Sequence, residues 1–208
     1  MENEVIGPPP LIEWGVAMQP IPGETESGDQ HLVKPLPNGV LVAVVDGLGH
    51  GGKAAVAAKI AVATLGNFSH EALVSLFERC HEALKKTRGV AMSLASFNAQ
   101  DNSMAWLGVG NVEGILLRKD VNVSLVREAI PLPGGVVGYK LPPLPTSVIS
   151  VSTGDTLIFA TDGIHYPFTE NVSLNSPPQQ IADRILVQHG KGIDDALVLV
   201  ARYLGCTT

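Results

Sequence analysis

The hydrophobic positions of this chain fall mostly into short runs separated by turn-forming residues. Residues 11–18 and 30–34 have the length and composition of strands, and the Pro-Asn-Gly turn signal at 37–39 predicts a hairpin. Residues 40–45 are apolar without alternation, which predicts a strand buried on both faces. Further strands are predicted at residues 90–98, 103–109, 112–118, 122–126, 147–151, 155–160 and 197–203.

Two helices are predicted between the first hairpin and the later strands. Residues 52–66 are rich in alanine and contain no proline, so they favour a helix that can lie close to a sheet. Ser69 is a candidate N-cap of the second helix, with Glu71 in its first turn. The apolar stripe of that helix is Leu73, Leu76, Phe77, Cys80 and Leu84.

A third helix is predicted to begin near residue 177 and to run to about residue 188. Ser176 and Gln179 have the spacing of a capping box, which places Pro177 at the first helical position, and Gly190 ends the helix. A long series of strands cannot bury both faces alone. We therefore predict an α+β fold in which antiparallel sheets pack face to face with helices outside, with residues 131–146 forming an irregular loop.

Composition bounds the class of protein. The chain has 208 residues, 45% of them hydrophobic and 16% charged, which predicts one compact domain over residues 1–208. A net charge of −6 argues against a nucleic-acid partner, and we interpret the basic stretch at residues 85–88 as the end of the second helix.

Cysteine usage and the absence of long apolar runs indicate the compartment. Cys80 and Cys206 form no CxxC pair, and Cys80 falls on a helical apolar stripe, so a buried free thiol is expected. The chain starts with acidic residues where a signal peptide would be basic, and no apolar run approaches the roughly 20 residues that span a bilayer. We expect a cytoplasmic monomer without a membrane partner.

Aspartates recur at the ends of apolar runs, next to a glycine or a second acid. They are Asp29 after Gly28, Asp46 before Gly47, Asp162 before Gly163, and the pair Asp194 and Asp195. Carboxylates are hard oxygen ligands, so this set predicts magnesium or manganese before zinc, and several acids can hold two ions. The chemistry indicated is hydrolysis of a phosphate ester.

The stretch Gly47-Leu48-Gly49-His50-Gly51-Gly52 has two interpretations. It fits G-x-G-x-x-G between a buried strand and a helix, which is the context of a dinucleotide-binding loop. Against this, Asp46 places a negative charge where pyrophosphate would sit, and no strand ending in a ribose-binding acid follows the helix. The alternative is that Asp46 is a metal ligand and that the next glycine adopts an unusual backbone dihedral and presents its carbonyl oxygen.

Taken together, these motifs resemble the PPM family of metal-dependent serine/threonine protein phosphatases. The motifs are Val44-Val45-Asp46-Gly47-Leu48-Gly49-His50-Gly51, Ser27-Gly28-Asp29, Thr161-Asp162-Gly163 and Asp194-Asp195. Their order covers nearly the whole chain, and the D-G-x-G-H-G form is similar to the bacterial sporulation and stress-response branch. The compact size is most like the stressosome feedback phosphatases of that branch.

The resemblance implies an α-β-β-α sandwich with two divalent cations, Mn²⁺ or Mg²⁺, at one end of the sheets. It implies that Asp46 bridges the ions, that the Gly47 carbonyl completes one site, and that Asp162 and Asp194 hold the other ion. Asp29 would act through bound water. In the family, the first acid of this pair is the ligand, which favours Asp194. The sequence alone does not distinguish Asp194 from the adjacent Asp195 as the ligand. The resemblance also implies attack by a metal-activated water on phosphoserine or phosphothreonine of STAS-domain stressosome proteins, which resets the stress signal.

Two departures from the family pattern concern catalysis and phosphate binding. Larger members have a histidine directly after the metal-site glycine, where this chain has Leu48, so the leaving group would be protonated by His50, by a metal-bound water or from elsewhere. Those members also grip phosphate with an arginine near the N-terminus, but here no arginine precedes Arg79, and Lys34 and Lys53 are the candidate cations. We therefore expect slow turnover and reliance on a protein docking surface. A catalytically weak docking module is the alternative.

Overall fold

The computed structural model describes residues 10–118, 126–170 and 172–205. Its ten strands and three helices follow the order predicted from the hydrophobic pattern, with ends that differ by a few residues. In chain order they are β1 (Ile12–Gln19), β2 (Asp29–Leu36), β3 (Gly39–Gly47), α1 (Gly52–Asn67), α2 (Leu73–Leu84), β4 (Val90–Asn98), β5 (Ser103–Val109), β6 (Glu113–Arg118), β7 (Val126–Ala129), β8 (Ser147–Ser150), β9 (Thr156–Ala160), α3 (Pro178–His189) and β10 (Ala196–Tyr203). Of the strand predicted at 122–126, only residue 126 lies within the described residues.

The strands form two five-stranded antiparallel sheets. One sheet has the order β1-β10-β9-β6-β7 and the other the order β2-β3-β4-β5-β8. Helices α1 and α2 cover the outer face of the second sheet, α3 covers the first, and a central apolar layer joins the sheets. The α-β-β-α sandwich predicted from the sequence is therefore confirmed.

Strand β3 has an unbroken apolar run because both of its faces are covered. Val40, Val42 and Val44 point into the layer between the sheets, while Leu41 and Val45 pack beneath the helices. A strand that is covered on both faces cannot alternate apolar with polar residues. The antiparallel pairing of β3 with β2 and β4 also excludes the dinucleotide-binding interpretation, because that motif requires parallel strands joined by a crossover helix.

Both predictions of side-chain capping were wrong. Helix α2 begins at Leu73 after Ala72, so Ser69 does not cap it, and Glu71 instead forms a bidentate ion pair with Arg79. In α3, Gly190 ends the helix as expected, but the helix begins at Pro178, one residue later than the capping box predicts, with Pro177 as the N-cap and no side-chain cap. Gln179, the expected capping residue, makes a tertiary contact instead. Its side chain donates to the carbonyl of Val16 at 2.8 Å and accepts from the N–H of Val16 at 3.0 Å.

Cys80 is a buried free cysteine, as expected, and burial raises the pKa of its thiol to about 12; Cys206 lies outside the described residues. Residues 131–146 form a loop with isolated β-bridges at Val136 and Val137. In the described part of the chain, no helix has both the length and the apolarity that crossing a bilayer requires.

Candidate functional site

The predicted acidic residues meet at one end of the sandwich. Asp29 starts β2 and Asp46 lies near the end of β3, while the segments that carry Asp162 and Asp194 follow β9 and precede β10. The registers Val198↔Ala160 and Asp29↔Asp46 show that each sheet brings its two segments to the same edge. The two sheets are joined there by a 2.7 Å hydrogen bond from the Thr161 hydroxyl to Asp29.

Asp29 lies deepest in the site. Its side chain is 1% exposed, and its Oδ2 atom accepts the hydrogen bond from Thr161. Burial first, and then the negative charge of Asp46, raise the pKa of Asp29 to about 8, while the Thr161 hydroxyl acts in the opposite direction. An ionised Asp29 therefore requires a nearby positive charge at neutral pH.

Asp46 is half-buried, and its pKa is raised by the same kinds of effect as that of Asp29. Burial first, and then the charge of Asp162, raise its pKa to about 7, and the negative charges of Asp194 and Asp195 add to this effect. A hydrogen bond with Asn111 lowers the pKa in part. Five acids are thus close enough to influence one another electrostatically, although they are far apart in the sequence.

Asn111 is a site residue that the sequence analysis missed. It lies in the turn between β5 and β6 and donates a 2.7 Å hydrogen bond from Nδ2 to Oδ2 of Asp162, which is itself exposed. In the sequence, Gly110 and Asn111 have the signature of an ordinary turn. No local pattern could have assigned this asparagine to the acidic cluster.

The structure distinguishes the two neighbouring acids before β10. Both carboxylate oxygens of Asp195 accept backbone hydrogen bonds at 2.8 Å, Oδ1 from Ile21 and Oδ2 from Gly28. Asp195 is therefore used to hold the loop between β1 and β2. Asp194 is half-buried, and its Oδ1 accepts from the N–H of Asp195 at 2.9 Å, which leaves Oδ2 as the carboxylate oxygen with no such bond among the described residues.

The glycines next to the acids have a packing role. A Cβ atom on Gly47 would overlap the backbone carbonyl of Ala54 in α1, and one on Gly163 would overlap the carbonyl of Asp195. Neither glycine has a positive φ, so the dihedral expected for Gly47 from the sequence was wrong. These glycines instead let a helix and a strand entry approach the acidic edge closely.

His50 lies on the loop between Asp46 and α1. Its side chain is 62% exposed, and its Nδ1 atom is 3.5 Å from the carboxylate of Glu24. Gly49 and Gly51 flank it with φ values of +84° and +71°, a region that favours glycine, so the loop can turn sharply at both positions.

The cations named from the sequence do not neutralise the acidic cluster. Lys34 lies five residues along β2 from Asp29, which is roughly 16 Å at the rise of a strand. Lys53 is exposed in the first turn of α1. Among the described side chains, no lysine, arginine or histidine forms an ion pair with Asp29, Asp46, Asp162, Asp194 or Asp195.

The donor set fits divalent cations in type and charge. Its ligands would be carboxylates and a backbone carbonyl, which suit Mg²⁺ and Mn²⁺, and a cation would offset the repulsion that raises the pKa values of Asp29 and Asp46. Over residues 10–118, 126–170 and 172–205, no three His, Cys, Asp or Glu side chains already stand in a metal-holding group. The fit therefore concerns chemistry and proximity, and binding would draw the carboxylates closer together.

Comparison with known proteins gives the same picture. A curated relative, phosphoserine phosphatase RsbX of Bacillus subtilis (strain 168), is 29% identical over 146 residues, which cover 70% of this chain and 71% of RsbX. A solved chain from work on the bacterial stressosome, described as a modular system adapted to control secondary messenger signaling, is 29% identical with a TM-score of 0.83. That match covers 92% of this chain and 99% of the solved one.

Two further solved structures contain metals. RsbX in complex with magnesium matches with a TM-score of 0.81 and 23% identity over 98% of each chain. The catalytic domain of the serine/threonine protein phosphatase PstP in complex with two manganese ions matches with a TM-score of 0.67 and 17% identity, over 93% of this chain and 98% of that domain. At these identities the matches establish the fold.

The family model described as stage II sporulation protein E (SpoIIE) matches residues 37–204, which include the glycine-rich loop and the two later acidic motifs. The likeness to PPM phosphatases, and to RsbX among them, confirms the resemblance that the motifs indicated. The chain is a PPM-type phosphatase domain and belongs to the SpoIIE family.

Proposed function

We propose that this protein is a cytoplasmic Mn²⁺- or Mg²⁺-dependent phosphatase that removes phosphate from phosphoserine or phosphothreonine in STAS-domain proteins of a stressosome. One observation carries the proposal. Asp29, Asp46, Asp162 and Asp194 converge at one edge of the sandwich, and burial and mutual repulsion raise the pKa values of the first two. Such an arrangement is stable with ionised carboxylates only when cations lie between them.

The residues that would hold two divalent cations are Asp46, Asp162 and Asp194, together with the backbone carbonyl of Gly47. Asp29 is buried and lies opposite Asp46 on the neighbouring strand, so it would act through bound water. When bound, two such ions lower the pKa of water and offset charge on the phosphoryl oxygens. The chain's own contribution is orientation, since Asn111 positions Asp162 and Thr161 positions Asp29.

We assign His50 as the candidate general acid for the serine or threonine leaving group. It is exposed next to the metal-site loop, and Glu24 lies 3.5 Å from Nδ1, which leaves Nε2 available for proton transfer. The test measures kcat of the His50→Gln variant and of the wild type with two substrates. If His50 protonates the leaving group, kcat falls for a phosphoserine protein but not for p-nitrophenyl phosphate, whose leaving group needs no protonation. An equal change for both substrates rejects this role.

The partner assignment rests on likeness to RsbX and to the stressosome-related chain. The test measures phosphate release from a phosphorylated STAS-domain protein with Mn²⁺, with Mg²⁺ and with a chelator. Asp46→Asn should abolish release, while Asp101→Asn is the matched control, because Asp101 lies in the turn between β4 and β5 at the opposite end of the sheet. Full activity of Asp46→Asn would contradict the proposed mechanism.

The same measurement separates the enzyme from a docking module. A docking module would bind the STAS-domain protein and release no phosphate under any metal condition. Equal catalytic efficiency on a small phosphomonoester and on the phosphoprotein would contradict reliance on a docking surface.

A further inference from the structure

Arg88 places a guanidinium group against the loop that follows the metal-site residues. A Cβ atom on Gly49 would lie 2.5 Å from Nη1 of Arg88, so the guanidinium occupies the space that any other residue's side chain would need. Gly49 also has a φ of +84°. The backbone conformation therefore favours glycine at this position, and the short distance shows that the guanidinium lies directly against the Gly49 backbone.

The strand register explains how Arg88 reaches this position. The pairing of β3 with β4 ends at Gly47↔Val90, and one more hydrogen bond, from the N–H of Leu48 to the carbonyl of Gly89, continues it. Arg88 therefore comes next to Gly49, three residues beyond Asp46. The basic stretch expected to finish the second helix in fact begins after it, because α2 ends at Leu84.

The segment on the other side of Gly89 restricts the path of the chain. Gly89 has a φ of +80°, and a Cβ atom there would lie 2.5 Å from Val136 Cγ1 and 2.7 Å from the carbonyl of Val137. Val90 and Val137 exchange two backbone hydrogen bonds of 2.9 Å. The loop at residues 131–146 is thus held against Gly89 and Val90, the two residues that follow Arg88.

Most arginines in the described parts of the chain have a polar partner there, but Arg88 and Arg184 have none. Arg79 pairs with Glu71, Arg118 with Glu128 and Asp155, and Arg202 with Glu13. The Arg88 side chain is exposed and forms no ion pair or hydrogen bond among the described residues. An unpaired surface arginine is common, but the guanidinium of Arg88 lies against Gly49, three residues beyond Asp46 in the chain, where it is available for an anion.

We propose that Arg88 binds the phosphate group of the substrate. This inference rests on the proposed function and assigns the phosphate-binding cation that the chain lacks before Arg79. A guanidinium presents parallel N–H donors that match phosphate oxygens, whereas a lysine offers only a point charge. The protein carries a net charge of −6, so a cation against the loop that follows Asp46 also reduces repulsion of an approaching phosphate.

The experiment compares Arg88→Ala and Arg88→Lys with the matched control Lys86→Ala, which removes an exposed cation two residues away. Each full-length variant is assayed at saturating Mn²⁺ with p-nitrophenyl phosphate and with inorganic phosphate as a competitive inhibitor. We expect Arg88→Ala to raise both KM and the inhibition constant of phosphate by roughly tenfold or more. Arg88→Lys should be intermediate, Lys86→Ala should stay within about twofold, and the Mn²⁺ concentration for half-activation should not change.

Other outcomes overturn the inference. A fall in kcat with unchanged KM and unchanged phosphate inhibition would indicate a role in the shape of the loop, as would a shifted Mn²⁺ requirement. Arg88→Lys keeps the charge and most of the volume, so it decides the matter if the alanine variant does not fold.

Failure of the proposed function is recognised separately. If the wild-type chain hydrolyses no phosphoester, calorimetric titration of the Mn²⁺-treated protein with inorganic phosphate still tests Arg88. Binding that is weakened in Arg88→Ala supports the phosphate site, while equal binding, or no binding by the wild type, overturns it.

Discussion

Asp29 and Asp46 are cross-strand partners on β2 and β3, so two carboxylates occupy one position of an antiparallel ladder. Like charges directly opposite each other destabilise a sheet. Acids that flank the first sheet converge at the same edge and add to the repulsion, so both carboxylates are ionised at neutral pH only with a cation nearby.

The metal-free protein should lose stability as the pH rises from about 4 to about 8. The folded-state pKa values of Asp29 and Asp46 are raised to about 8 and about 7 from 3.8, so the folded state binds more protons than the unfolded state in this window. The free energy of unfolding therefore falls with increasing pH. Urea denaturation in a chelator at pH 5 and pH 8 measures the difference, and Mn²⁺ should remove it by binding the folded state.

Asp29→Asn should reverse part of that pH effect. At pH 8 in chelator the variant should be more stable than the wild type by about 1–3 kcal/mol, because a neutral side chain replaces a buried charge. At pH 5 the two proteins should be similar, since Asp29 is then protonated. Asp101→Asn is the control and should change stability equally at both pH values. Equal stability of Asp29→Asn and wild type at pH 8 would contradict the raised pKa.

Asp194→Asn and Asp195→Asn should have different effects although each removes one negative charge. Asp195 accepts two backbone hydrogen bonds, so its amide would set an NH₂ group against a backbone N–H and destabilise the protein by about 2 kcal/mol. Asp194→Asn should leave stability within about 1 kcal/mol but raise the Mn²⁺ requirement for activity. Denaturation in chelator and metal titration of activity test this division. Similar effects of the two variants on both measurements would contradict it.

Asn111→Ala should weaken metal binding without removing a ligand. Loss of its hydrogen bond to Asp162 frees that carboxylate, and loss of such an orienting contact typically lowers metal affinity by about 10- to 100-fold. The Mn²⁺ concentration for half-maximal activity measures the change. Asn98→Ala is the matched control, because Asn98 lies at the end of β4 away from the acidic residues and its side chain accepts only a local turn hydrogen bond. An unchanged metal requirement for Asn111→Ala would exclude the orienting role.

Gly47→Ala and Gly66→Ala should change stability in opposite directions. The methyl group on Gly47 would overlap the Ala54 carbonyl, so the helix must shift, and we expect a loss of about 1–3 kcal/mol. Gly66 lies in α1 with no atom near the position of its Cβ, so alanine there should gain about 0.5–1 kcal/mol from helix propensity. Thermal and urea denaturation in chelator compare the two. A neutral Gly47→Ala variant would contradict the close packing of α1 on the site.

The elements and the candidate ligands were accessible from sequence because both depend on local rules. The unbroken apolar run of β3 predicted a doubly covered strand, and the apolar stripe of α2 predicted its buried face. Hydrophobic periodicity is a property of neighbouring positions, so it can be read directly from the sequence. The same holds for an acid next to a glycine at the end of a strand.

Residue assignments that depend on distant partners could be made only in three dimensions. The difference between Asp194 and Asp195 comes from the N–H groups of Ile21 and Gly28, and the diversion of Gln179 from its capping box comes from the edge of β1. Asn111 looks like a turn residue until its hydrogen bond to Asp162 is seen, and Arg88 looks like a helix-end residue until the β3–β4 register places it against Gly49. Local sequence therefore determined which segments form strands and helices, while long-range pairing decided which side chain at each segment end faces the site, since a hydrogen bond depends on distance in space and not along the chain.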